Sequence, residues 1–175
     1  CGIIHFAAYK AVGQSVETPL NYYQNNVEGL VSILKVVSEN TEIPFVFSSS
    51  CTVYGEPKGQ KEVSENTPKT IPTSPYGFTK WLGEQIIDDL FCSEKTLRLM
   101  SLRYFNPIGA HSSAHIGELP LGKPTNLLPF VTQTAVGMHE KLTIFGDSYP
   151  TVDGTCVRDY ICLLYTSDAA DESVC

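Results

Sequence analysis

Apolar and polar positions over the first hundred residues fall into short continuous runs separated by longer periodic stretches. Gly2 to Ala7 is a short apolar run and predicts a buried strand. From residue 19 to residue 40, apolar side chains at Tyr23, Val27, Leu30, Ile33, Leu34 and Val37 recur every three or four positions, which predicts one amphipathic helix. Phe45 to Phe47 predicts the next strand. It stops abruptly at Ser48, Ser49 and Ser50, the pattern of a buried parallel strand opening into a polar loop at its carboxyl end. Pro57 to Pro72 is rich in Pro, Lys, Glu and Thr and predicts an exposed excursion, with Gly59 and Pro68 as breakers. Ser74 suits an N-cap and Pro75 a first helical residue, so a helix is expected from Pro75 to about Phe91, with a strand over Thr96 to Tyr104. Beyond Gly109 the chain is Gly- and Pro-rich through Pro124, as in a long functional loop leading to a smaller region. Alternating strands and helices predict an α/β fold, a parallel sheet with helices on both faces.

Composition narrows the function classes. The 175 residues are 42% hydrophobic and 18% charged, enough for one domain with a workable core. A formal charge of −7, with lysines and arginines scattered, speaks against a nucleic-acid surface. No apolar stretch reaches the ~18 to 20 residues of a membrane span. Of six cysteines, Cys1, Cys51, Cys92 and Cys156 show no paired spacing and Cys162 and Cys175 lie in the C-terminal tail, so they are read as free thiols. His111 and His115 are four apart but sit among Ser, Gly and Ala in an expected loop, which argues against a metal site.

The chemistry concentrates in Ser74-Pro75-Tyr76-Gly77-Phe78-Thr79-Lys80. Tyr76 and Lys80, four apart at a helix start, share one face. A nearby ammonium favours the phenolate, so the pair can act as a proton-transfer device, although on residue types alone an exposed amphipathic pair fits as well. The hydroxyls of Ser48 to Ser50 are expected at the carboxyl edge of the sheet, where open α/β folds bind ligands.

These two elements, with six more in the same order, resemble the extended short-chain dehydrogenase/reductase family and, within it, the UDP-glucose 4-epimerase branch. His5 to Gly13 is similar to the segment that lines the cofactor after the fourth strand, and Pro19 to Val27 to the following helix, whose first asparagine lies near the cofactor. Arg103-Tyr104-Phe105-Asn106-Pro107 resembles the signature that meets cofactor and sugar nucleotide. Residues 125–129, 144–146 and 153–160 resemble segments that hold the nucleotide-sugar. The resemblance implies a Rossmann-like doubly wound parallel sheet over 1–110, lacking its first half, and part of a smaller substrate-binding region over 111–161. No Gly-x-x-Gly-x-x-Gly turn precedes His5, so the chain reads as starting mid-fold. Cys162 to Glu172 resembles a translated sequencing adaptor, and 162–175 is expected to be a non-native tail.

What the resemblance implies for function is C4 epimerisation of UDP-glucose and UDP-galactose with NAD, in galactose metabolism, by a cytoplasmic protein that is a homodimer at full length. Tyr76 would be the base, Lys80 would hold the nicotinamide ribose and depress the tyrosine pKa, and Ser50 would bridge tyrosine and substrate. Ser48 and Ser49 would be backbone partners at the strand end. Phe6, Ala7, Ala8, Tyr9, Lys10, Asn25 and Phe105 would line NAD, with Asn106, Asn126, Leu127, Phe145 and Arg158 on the UDP-sugar. For Phe6, Leu127 and Phe145 ordinary core packing fits the residue type equally well. Dehydratases of the same family carry Asp-Glu just after the loop hydroxyl, where this chain has Cys51 and Thr52, so elimination of water is disfavoured. The alternatives are a nucleotide-sugar dehydratase or a non-catalytic dinucleotide-binding module.

Overall fold

The computed structural model describes residues 1–56, 62–122, 124–144 and 146–164. The chain divides into two compact units, Cys1–Tyr104 and Phe105–Cys175.

The first unit is built on a three-stranded parallel sheet, β1 (Ile3–His5), β2 (Phe45–Ser50) and β3 (Leu99–Tyr104), side by side in that order. Lateral neighbours in the register are Ile3, Phe45 and Leu99, then Ile4, Val46 and Met100. Side chains alternate across a sheet, so the first of these rows faces one side and the second the other. Two short helices, α1 (Val12–Glu17) and α2 (Pro19–Tyr22), lead into a π-helical turn over Tyr23–Glu28 and then α3 (Gly29–Glu39). The longest helix, α4 (Pro75–Ser93), precedes β3. Leu30, Leu34 and Val37 of α3 and Ile87 of α4 are buried against Phe45, Phe47 and Leu97, with Ile3 and Leu99 packed around them. Each such side chain contributes about 1.5–3 kcal/mol of transfer free energy. The other sheet face carries the exposed Ile4, Met100 and Leu102.

Close approach of α4 to the sheet depends on a residue without a side chain. A Cβ at Gly83 would lie 2.7 Å from Phe47 Cζ and 3.0 Å from Leu30 Cδ2, so this glycine is where helix and strand meet.

Differences from the sequence reading have physical causes. Residues 19–40 do not form one α-helix, because a π-helical turn interrupts the run at Tyr23–Glu28. The strand expected to end at Phe47 continues through all three serines, since backbone pairing to Leu102, Arg103 and Tyr104 needs no apolar side chain. Only then does the chain turn, as a 3₁₀ segment over Cys51–Tyr54 capped by Ser50 Oγ, which accepts from Thr52 N. The excursion expected over 57–72 is irregular in its described part, residues 62–72, and is tied back by Thr70, which donates to the Val53 and Tyr54 carbonyls.

The second unit contains β4 (Asn106–Ile108), α5 (Leu127–Ala135) and β5 (Tyr160–Cys162), with β4 and β5 paired in parallel. Cys162, which the sequence reading assigned to a tail, is the last residue of β5. The remainder of that expected tail from residue 165 on lies outside the described residues.

Candidate active site

α4 begins as its sequence dictates: Ser74 Oγ accepts from Gly77 N at 3.1 Å and Pro75 occupies the first turn. This sets Tyr76 at the mouth of the helix and Lys80 one turn further in. Lys80 is 4% exposed. Its Nζ donates to the Ser48 carbonyl at 2.6 Å and lies 5.0 Å from the centre of the Phe47 ring. Burial lowers its pKa to about 8, with no carboxylate opposing that shift. The Ser50 hydroxyl neighbours the Tyr76 phenol and acts to lower its pKa, while its own oxygen accepts from Thr52 N at 3.3 Å. The structure thus brings Ser50, Tyr76 and Lys80 together at the carboxyl end of β2.

One electrostatic expectation is corrected. Tyr76 is expected from sequence to be shifted toward phenolate by Lys80, yet its pKa is raised, first by burial and further by the neighbouring Cys51 and Tyr22, with the Ser50 hydroxyl pulling the other way. The lysine charge is spent on a carbonyl and a ring instead. A second correction concerns Ser49, whose side chain is not idle: its hydroxyl donates to Glu84 Oε1 at 2.5 Å, with both residues 3% exposed.

Glu84 is the residue that the sequence reading missed. Arg103 grips it in a fork, Nε to Oε1 at 2.9 Å and Nη2 to Oε2 at 2.8 Å, and Lys69 approaches Oε2 at 3.4 Å. Burial alone would raise the Glu84 pKa; the hydrogen bonds from Arg103 and Ser49 and the charges of Arg103 and Lys69 outweigh it, and the carboxyl is held below the ordinary value. The hydrogen bond to Glu84 in turn raises the Arg103 pKa, aided by Tyr54, whose hydroxyl accepts from Arg103 Nη1 at 2.9 Å. One signal was present in the sequence: Glu84 follows Lys80 by four residues, hence one turn along the same face.

Around β1, Phe6, Ala7, Tyr9 and Lys10 are exposed and Ala8 is half-buried. The Tyr9 backbone is pinned by Asn26, which accepts from Tyr9 N at 2.8 Å and donates to Tyr9 O at 3.0 Å and to Thr79 Oγ1 at 3.1 Å. Asn25 is exposed and donates to Asn26 Oδ1 at 2.9 Å. The asparagine singled out from sequence therefore stands beside the one that does the structural work. In the second unit, Asn106 Nδ2 donates to the Asp159 carbonyl at 2.7 Å, Asn126 hydrogen-bonds Glu118, and Phe105 precedes β4. Leu127 opens α5 half-exposed, and Arg158 is exposed with Nη1 on the Val157 carbonyl. Phe145 lies outside the described residues.

A family model described as GDP-mannose 4,6 dehydratase matches residues 1–174. The chain belongs to this family. Within it, the chain is 52% identical over 159 residues to the UDP-glucose 4-epimerase of Drosophila melanogaster, covering 91% of this chain and 45% of that protein. It is 54% identical over 162 residues to the bifunctional protein GAL10 of Pachysolen tannophilus, covering 91% of this chain and 23% of that one. Among solved structures it resembles UDP-glucose 4-epimerase from Bifidobacterium longum in complex with NAD+ and UDP, with a TM-score of 0.89 and 43% identity over 98% of this chain and 51% of that chain. The expected Rossmann-like α/β class agrees with this match. The chain spans less than half the length of the curated relatives it matches.

Proposed function

We propose that the protein carrying this segment interconverts UDP-glucose and UDP-galactose at C4, through a 4-keto intermediate, with NAD as its cofactor. The observation that carries the reading is the assembly of Ser50, Tyr76 and Lys80 at the carboxyl edge of the sheet, followed by Cys51 and Thr52 rather than by acids. The residues present fit the nicotinamide end of the cofactor. Lys80 Nζ spends one of its three donors on Ser48, which leaves hydrogen-bonding capacity suited to ribose hydroxyls. Phe6 to Lys10 present an open edge beside β1, the position expected of a cofactor-lining segment, to which Asn25 and Phe105 add. When bound, NAD supplies the hydride acceptor and donor.

The chain's own residues handle the proton. Tyr76 Oη takes the proton from the sugar 4-hydroxyl and returns it after the keto sugar has turned over. Ser50 orients both oxygens, its hydroxyl lying next to the phenol and acting to lower its pKa. Burial, Cys51 and Tyr22 oppose the phenolate in the free protein, and the positive charge that oxidised NAD would bring to the site would favour it. Asn106, Asn126, Leu127, Phe145 and Arg158 hold the UDP-sugar, the arginine pairing with diphosphate in fork geometry. Elimination of water needs a further acid, and neither Cys51 nor Thr52 is a carboxylic acid, which supports oxidation and re-reduction over a dehydratase reaction. The reading includes a cytoplasmic location and a homodimer at full length; among the described residues no helix is long and apolar enough to cross a membrane.

The test uses the full reading frame containing this segment, assayed for conversion of UDP-galactose to UDP-glucose. Tyr76→Phe keeps the ring and removes the proton-transfer oxygen, so turnover is expected to fall about a hundredfold to ten-thousandfold with little change in UDP-sugar binding. Normal turnover by Tyr76→Phe refutes the assignment. Release of water with formation of a 4-keto-6-deoxy sugar establishes the dehydratase alternative.

A further inference from the structure

Ser49 sits between the two serines that touch the proposed catalytic groups. On one side, the Ser48 carbonyl receives Lys80 Nζ at 2.6 Å; on the other, the Ser50 hydroxyl neighbours the Tyr76 phenol. Ser49 itself points to the opposite face of β2, the face packed on α4, where its hydroxyl meets Glu84 at 2.5 Å. In the strand register Ser49 is the direct lateral partner of Arg103, and both side chains converge on the same carboxylate. Glu84 lies on the same helix as Tyr76 and Lys80, one turn beyond the lysine. The end of β2 is therefore tied to α4 at two consecutive residues, and the second tie also fastens β3.

We propose that Ser49, held by the Glu84–Arg103 fork, is a positioning residue that sets the reach of Ser50 and of the Ser48 carbonyl toward Tyr76 and Lys80. The physical argument is one of tolerance. β2 leaves its regular pairing immediately after Ser50 and turns into the 3₁₀ segment, so the last strand residue is where the backbone has greatest freedom to slide. A displacement of an ångström there moves the Ser50 hydroxyl relative to the phenol and lengthens the 2.6 Å Lys80–Ser48 bond beyond hydrogen-bond range, and misplacement of that size costs on the order of a hundredfold in well-aligned reactions. The carboxylate is suited to the task because the Arg103 fork engages both of its oxygens, one of them shared with Ser49, so it cannot rotate to follow a drifting strand. Glu84 touches neither phenol nor ammonium and acts only through its neighbours.

The inference rests on the epimerase reading, and its experiment separates the two. In the full reading frame containing this segment, Ser49→Ala removes one hydroxyl and leaves the Glu84–Arg103 ion pair whole, so the fold survives. The expected result is a fall in kcat of about tenfold at unchanged KM for UDP-galactose, with Tm lowered by only a few degrees. Lys69→Ala, which removes the solvent-side contact to the same carboxylate, is expected to keep kcat within twofold of the parent. If Ser49→Ala turns over like the parent while Tyr76→Phe is inactive, the positioning role is refuted and the epimerase reading stands. If Tyr76→Phe is also fully active, both are refuted. Equal loss of kcat in Ser49→Ala and Lys69→Ala, tracking the loss in Tm, likewise overturns the proposal, because it reduces the effect to general stability.

Discussion

Lys80 should be worth more to the reaction than to the fold, and Lys80→Met measures the difference. The ammonium is 4% exposed, its hydrogen-bond partner is one backbone carbonyl, and burial brings its pKa from 10.5 to about 8. At about 1.4 kcal/mol per tenfold, that gap is a penalty of roughly 3 kcal/mol on the charged form in the folded state. Methionine fills similar space without charge. It forfeits the bond to Ser48, worth about 1 kcal/mol net, and the ring contact with Phe47, worth about 0.5–1 kcal/mol. Lys80→Met is therefore expected to be about 1 kcal/mol more stable than the parent at pH 7 in the absence of cofactor, while the full-length variant loses turnover in the reaction proposed above. The sign of the pH dependence follows from proton counting. Between pH about 8 and 10.5 the unfolded lysine is protonated and the folded one is not, so the parent gains stability as pH rises through that window. Below pH 8 both forms carry the proton and the penalty is present in full. The advantage of the methionine variant should thus be full at pH 7, shrink above pH 8 and reverse by pH 10. Equilibrium urea unfolding of both proteins at pH 7, 8.5 and 10 gives the comparison, every point lying above the ordinary 6.5 of His5, whose pKa the Lys80 charge also lowers. A gap that does not change with pH refutes the reasoning.

Two further outcomes follow from the same packing. Gly83→Ala places a methyl group 2.7 Å from the Phe47 ring, and thermal or urea unfolding is expected to report a loss of about 1–3 kcal/mol, whereas an alanine at the unobstructed Gly29 should be neutral or stabilising. In acid, Glu84 and His5 act together. Both have lowered pKa values in the fold, His5 by burial and by the Lys80 charge, so stability is complete above their ordinary values and falls as pH drops below 6.5 for the histidine and below 4.5 for the carboxyl. Glu84→Gln should flatten the lower part of that profile, and acid titration followed by circular dichroism checks it.

What could be read from the chain in advance was local. Ser74, Pro75 and the four-residue spacing of Tyr76 and Lys80 lie within one helical turn, and their geometry follows from backbone rules alone. The parallel sheet was legible for a similar reason, since the apolar runs at residues 2–7 and 45–47 contrast sharply with their flanks. The Glu84–Arg103–Ser49 cluster was not, because it joins residues 19 and 35 positions apart whose meeting depends on strand register. Nor was the pairing of β4 with β5, which brings together Asn106 and Tyr160 from segments with little hydrophobic periodicity. Asn26 escaped notice because a buried asparagine looks like any polar residue of a helix until its partner, the Tyr9 backbone, is in place.

The π-helical turn at Tyr23–Glu28 has a consequence for how this stretch can vary between relatives. Tyr22, Asn26, Leu30 and Leu34 are all buried and are spaced four apart. In a regular α-helix each such step advances about 40° around the axis, so three steps would carry the stripe through a third of a circle. A wider turn winds less per residue and takes back part of that drift, which keeps the asparagine that pins Tyr9 in line with the leucines of the core. Gln24 within the turn is exposed and makes no demand on side-chain identity. Its presence is nevertheless required as a spacer: substitutions there should be freely accepted, while deletion of a single residue would restore an ordinary helix and swing either the pin or the core stripe out to water. At Gln24 the geometry constrains the length of the segment rather than the identity of the side chain.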